Sequence, residues 1–124
     1  MSDLENLKRA FENAWSAESS SKWKKSNPAL GQCGVTALVA QDCLGGDIVK
    51  TWVVKPGVCE LWHYYNLIDE QAVDFTISQF DEPIQYDDIP SSRDEALRDA
   101  WPGQYDSLRD AVKRQLADPR HSGF

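Results

Sequence analysis

Cys33, His63 and Asp74 are the side chains whose types and order suggest nucleophilic catalysis. A cysteine attacks as its thiolate, needs a base within hydrogen-bond reach, and that base needs a third group to hold its ring. Cys33 falls at the first residue of a predicted helix, after a Gly31-Gln32 turn. There the helix dipole and free N–H groups favour thiolate over thiol. His63 is the histidine of the predicted core, and His121 lies in the tail. Asp74 is the expected orienter of His63. The Gln32 carboxamide, with the Cys33 backbone N–H, is the expected donor to a developing oxyanion. Gly31 and Gly34 are expected to leave room for a substrate backbone.

These groups meet only if particular elements carry them. Leu4, Leu7, Phe11, Ala14 and Trp15 follow a helical spacing and predict an amphipathic helix over 3–17. Residues 33–44 are almost uniformly apolar or small and are closed by Gly45-Gly46. They predict a buried central helix with a glycine stop. From 47 to 80 the β-branched and aromatic runs predict an antiparallel meander of three or four strands. Turns are expected at Pro56-Gly57 and Asp69-Glu70-Gln71, with a third strand beginning at Ala72-Val73-Asp74-Phe75 and a short helical turn near 76–80. Residues 82–90 read as an extended excursion. Ser91 or Ser92 caps a helix through about Ala100, with Glu95 as the acidic half of a capping box, and a last helix runs from about Gln104 to before Pro119. The whole is one α+β domain over 1–124, with helices at 91–118 closing it.

Asp74 reaches His63 only if the second turn is even. With Asp69 and Glu70 as its two residues, Ile68 faces Gln71, His63 faces Thr76, and Asp74 is diagonal to His63 on one sheet face. A three-residue turn sends it to the other face. Asn66 is the fallback orienter, although an unbroken strand points it away from His63.

Plainer readings stand beside each assignment. Free cysteine usually behaves as a small buried hydrophobe, and Cys43 and Cys59 are assigned that role. His63 between Trp62 and Tyr64 fits a satisfied core histidine, and Asp74 a strand terminator. Cys59 and His63 are four apart, which suits metal ligation only on a helix, and this stretch reads as strand. No metal or organic cofactor is expected.

Composition removes other classes. Of 124 residues, 41% are hydrophobic and 27% charged, a globular balance. A net charge of -7 opposes binding to nucleic acid and to an anionic membrane surface. The N-terminus shows no secretory pattern and no apolar run approaches a bilayer span, so the expected location is cytoplasmic. Three widely spaced cysteines do not form a disulfide framework.

The stretch Asn27-Pro28-Ala29-Leu30-Gly31-Gln32-Cys33-Gly34-Val35-Thr36-Ala37-Leu38-Val39 carries a resemblance. With it go Asp42, Leu44-Gly45-Gly46, His63-Tyr64-Tyr65-Asn66 and Val73-Asp74-Phe75-Thr76. Together they resemble the YunG-like family of small bacterial proteins, similar in its core to papain-like enzymes (NlpC/P60- and transglutaminase-like). Gly31-Gln32-Cys33 resembles the start of a transglutaminase-like nucleophile helix, although Gly34 stands where those proteins usually carry an aromatic. Papain-type proteases place their oxyanion glutamine several residues ahead of the cysteine, whereas Gln32 is adjacent. The resemblance implies a cysteine-dependent acyl-transfer enzyme, peptidase, amidase or transglutaminase-like, acting on a peptide or amide. Cys33 would be the nucleophile, His63 the base, Asp74 the orienter and Gln32 the oxyanion donor, with Trp62 and Tyr65 as cleft aromatics. The alternative is a binding or regulatory module on the same scaffold, an acidic partner for a basic protein. A thiol redox sensor is a third.

Overall fold

The computed structural model describes residues 3–55 and 59–118. The Pro56-Gly57 turn and His121 lie outside the described residues, as does the side chain of Cys59. Four helices and one antiparallel sheet follow in the order α1 (Asp3–Ala14), α2 (Cys33–Leu44), β1 (Asp47–Lys55), β2 (Cys59–Ile68), β3 (Gln71–Val73), β4 (Ile89–Pro90), α3 (Arg93–Arg98) and α4 (Gln104–Ala117). A single 3-10 turn, Ile77–Gln79, follows β3.

Helix α1 stops at Ala14, short of the expected 17. The next residues form a serine turn, with the Ser19 amide and hydroxyl both donating to the Ser16 carbonyl at 3.1 Å. Serine hydroxyls compete for the bonds that would extend a helix, which ends it here. Helix α2 begins at Cys33 and closes at Gly45, whose φ of 74° suits a residue without Cβ. It is buried from Cys33 through Ala40; beyond, Asp42 and Cys43 are exposed, so Cys43 is a surface thiol rather than the expected core residue. Ser92 caps α3 by accepting the Glu95 N–H at 3.1 Å, and the Glu95 carboxylate turns to Lys50 Nζ at 2.8 Å. The helix ends at Arg98, two residues before expectation.

The sheet order is β3-β2-β1-β4, with β4 adding a two-residue edge to β1. Strands β1 and β2 pair without a bulge from Asp47↔Leu67 to Lys55↔Cys59. Strand β3 pairs with β2 from Ile68↔Gln71 to Asn66↔Val73. The turn between them is the two residues Asp69 and Glu70, at φ 51° and 66°. Two successive positive φ values match the right-handed twist of a tight hairpin, so the even connection is met.

Helix α2 lies between two layers. On one side α1 and α4 bring Leu7, Phe11, Leu108 and Val112 against Val35 and Val39, and Phe75 joins them. The Phe11 ring stacks on Trp15 at 6.0 Å and tilts onto Phe75 at 5.1 Å. Trp15 Nε1 donates to Thr36 Oγ1 at 3.0 Å, so the indole enters the core with its polar atom satisfied. On the other side Asn66 Nδ2 donates to the Ala37 carbonyl at 3.0 Å, and Tyr64 packs with Cys33, Ala37 and Leu38.

Candidate functional site

His63 and Asp74 meet. Nε2 of His63 lies 2.7 Å from Oδ2 of Asp74, and the imidazole is wholly buried. The bond follows from register: Asn66 opposes Val73, which puts Asp74 one step beyond β3 and diagonal to His63. Asp74 is held from both ends. The Thr76 N–H and hydroxyl donate to Oδ1 at 3.1 and 3.2 Å, and the Tyr86 hydroxyl donates to Oδ2 at 2.8 Å. Phe80 closes on the imidazole edge-on at 4.9 Å, and Tyr65 stacks near it at 6.0 Å. The other ring nitrogen, Nδ1, is buried and has no hydrogen-bond partner.

Cys33 sits at the start of α2 as expected, 5% exposed. Its sulfur donates toward Asp99 Oδ2 at 3.9 Å, rather than to His63. The unbroken pairing of β2 explains the separation: Tyr64 and Asn66 face α2, so His63 and Tyr65 project from the opposite face, beneath residues 74–86. The sulfur nonetheless comes against β2 beside that histidine, where the backbone N–H groups of Tyr64 and Gly34 favour its charged form. Those amides are outweighed. Burial first, and then the Asp99 charge, push the thiol up to about 12, with Asp74 adding in the same direction. The expected bias toward thiolate is therefore reversed: the helix start supplies its amides, but the surroundings withhold water and add an anion.

Gln32 is wholly buried, and its Nε2 donates to the Ser16 carbonyl at 3.3 Å. That ties the start of α2 to the serine turn through one of the two amide donors. The space beside the two glycines is also filled. A Cβ at Gly34 would meet the Ala96 carbonyl at 2.9 Å and Asp99 Oδ2 at 3.0 Å, and one at Gly31 would meet Ser20 Oγ at 2.5 Å. At their Cβ positions both glycines admit neighbouring chain, and Gly31 also lines the cleft beside Cys33. Asn66, the fallback orienter, points to α2 as an unbroken strand requires.

A cleft of about 160 Å³ opens beside Cys33, lined among others by Asp99, Lys22, Trp62, Trp101 and Gln104. Trp62 thus borders it, whereas Tyr65 is buried and donates its hydroxyl to Asp88 at 2.7 Å. Asp99 follows the last residue of α3, and burial raises its carboxyl to about 6 against the pull of Lys22, the Cys33 thiol and His63. Neither Asp99 nor Tyr86 is singled out by sequence pattern. Tyr86 lies in a segment without periodicity and Asp99 at the end of the predicted 91–100 helix, 66 positions from Cys33; only Gly34, directly after the cysteine, signals that something approaches closely. Among the described residues no group of three His, Cys, Asp or Glu could hold a metal ion, and no helix is long and apolar enough to cross a membrane.

An α+β fold that buries a histidine–carboxylate pair near a helix-opening cysteine defines a compact class of protein. The YunG protein family matches residues 3–117, and the chain belongs to that family. It is 49% identical over 113 residues to the uncharacterized protein YunG of Bacillus subtilis (strain 168), covering 91% of this chain and 94% of the relative. No solved structure matches.

Proposed function

We propose that the chain is a cysteine-dependent acyl-transfer enzyme of papain-like and transglutaminase-like core, using Cys33, His63 and Asp74. The observation that carries this reading is the state of His63: Nε2 is fixed by Asp74 at 2.7 Å, while Nδ1 is buried and bare. A ring clamped at one nitrogen by a doubly anchored carboxylate is oriented for proton transfer at the other. A satisfied core histidine would use both. Cys33 supplies the nucleophile from the start of α2, with its sulfur against the residue that follows His63.

In the reaction, the thiol proton passes to His63 Nδ1 as sulfur bonds to a substrate carbonyl carbon. The carbon–nitrogen bond then breaks, the departing amine takes the proton from His63, and a thioester remains. Water or a second amine, deprotonated by His63, attacks the thioester and returns the thiol. Asp74 stabilises the imidazolium throughout, and the Cys33 backbone N–H, with the Gln32 carboxamide, is the proposed oxyanion donor. The first step requires sulfur and Nδ1 to approach within about 3–4 Å, so the thiol must leave Asp99, toward which it donates here.

Acetyl transfer from p-nitrophenyl acetate tests the reading. The native protein should acetylate Cys33, seen by mass spectrometry, about 10²-fold faster than His63→Gln, the usual worth of a positioned base. Asp74→Asn should fall between them. Equal rates in the native protein and His63→Gln overturn it. One observation favours a second reading, a non-catalytic binding module: the thiol is protonated and held by Asp99. That module, acidic at -7 and suited to a basic protein partner, would show no selective acetylation of Cys33.

A further inference from the structure

We propose that Asp99 selects the substrate of the Cys33 cleft, and that the acyl compounds taken there carry a cationic group, ammonium or guanidinium, beside the reacting carbonyl. The inference rests on Cys33 being the nucleophile and adds the chemistry of what it attacks.

Three observations converge. Asp99 Oδ2 lies 3.9 Å from the sulfur, and both groups line the same cleft, so whatever reaches the thiol also meets the carboxylate. Gly34 makes that proximity possible, because a Cβ there would press on Asp99 Oδ2 at 3.0 Å and on the Ala96 carbonyl at 2.9 Å. The cleft has aromatic walls beside the Asp99 carboxylate, with Lys22 also lining it. Trp62 and Trp101 border it, Trp101 being 71% exposed, and the ring of Trp62 already takes the Lys50 ammonium 4.3 Å from its centroid. A carboxylate flanked by indole faces suits a cation and repels an anion.

The same charge explains how a protonated thiol is released. Asp99 opposes the thiolate by its negative charge. A bound cation pairs with Asp99, cancels that opposition, and makes proton transfer to His63 easier. An uncharged compound gains no such help, and an anionic one is repelled. The other charged groups that bear on the pair are Lys22, His63 and Asp74. Lys22 lines the cleft and is exposed, but no ion pair joins it to Asp99 among the described residues, so the carboxylate remains available.

Three methanethiosulfonate reagents with a common warhead test this: trimethylammonium-ethyl, ethyl and sulfonato-ethyl. In each, the cysteine sulfur bonds to the reagent's thiol sulfur and methanesulfinate leaves, so only the charge differs. Labelling of Cys33 is followed by peptide mass spectrometry, with the surface thiol Cys43 as reference for intrinsic reagent differences. Relative to Cys43, the cationic reagent should label Cys33 about tenfold faster than the anionic one, a preference of the size one nearby charge exerts. It should shrink in high salt. Asp99→Asn, checked by circular dichroism for fold, should bring the ratio within about twofold of unity and speed the neutral reagent. Gly34→Ala, which displaces the carboxylate, should move the ratio the same way. An unchanged ratio in Asp99→Asn overturns the proposal. His63→Gln separates it from the catalytic reading. There the neutral reagent should slow while the charge preference persists; an unslowed rate with the preference intact removes the triad and leaves Asp99 as the selecting charge.

Discussion

A carboxylate that accepts four hydrogen bonds is a tuned group, and Asp74 is one. His63 and Tyr86 share its Oδ2, and Thr76 holds Oδ1 twice. The Tyr86 hydroxyl draws charge from the oxygen that faces the imidazole. Burial and this bond both push the tyrosine's own pKa up. Tyr86→Phe keeps the ring against Tyr65 at 4.9 Å but removes the donor. The freed charge should strengthen the bond from the His63 Nε2–H and move its low-field proton resonance further downfield in the NMR spectrum. An upfield move, or no change, would show that Tyr86 serves packing alone. Asp99 gives a second residue-scale test. Its carboxyl stands at about 6 in the fold against an ordinary 3.8, so the folded state binds the proton more tightly. The stability this contributes is complete below about 4 and is lost as pH rises through 6. Asp99→Asn should therefore gain thermal stability relative to the native protein between pH 4 and 7, with the two closest in acid, as differential scanning calorimetry would record.

At the scale of elements, the β2–β3 turn decides whether the pair exists. Two residues at positive φ hold Ile68 opposite Gln71, and the period-two alternation of the strands then delivers Asp74 to His63. One glycine inserted between Asp69 and Glu70 should send Asp74 toward the opposite face. The low-field Nε2–H resonance of His63 would vanish, and its persistence would mean that the 74–80 segment, not the turn, sets the contact. This part of the site was legible only as a condition, because parity follows by counting once the turn has two residues, and the sequence left two or three open. What alternation also implied was harder to foresee. The parity that joins His63 to Asp74 places both on the face opposite Tyr64 and Asn66, the residues that touch α2.

For the whole molecule, α2 is the element every layer shares. It meets α1 and α4 on one side and β1 and β2 on the other, so a defect on the helical side reaches the cysteine through its own helix. Phe11 is fully buried between Trp15 and Phe75. Phe11→Ala should cost about 3–5 kcal/mol in urea denaturation, as large core truncations do. A loss below about 1 kcal/mol would mean that the two layers are not one cooperative unit.

Local chemistry settled much of this protein in advance. Helical spacing, β-branched runs and a glycine stop each act over a few residues, and they named α2 with Cys33 at its start, the antiparallel sheet and, on the condition of an even turn, the approach of Asp74 to His63. The partner of the sulfur was decided elsewhere. Asp99 meets Cys33 across 66 positions of chain, Tyr86 meets Asp74 from a segment without periodicity, and Gln32 turns to Ser16. Such encounters depend on how completed elements pack and exclude water. No short stretch of residues encodes them, and they alone determine whether the thiol is charged.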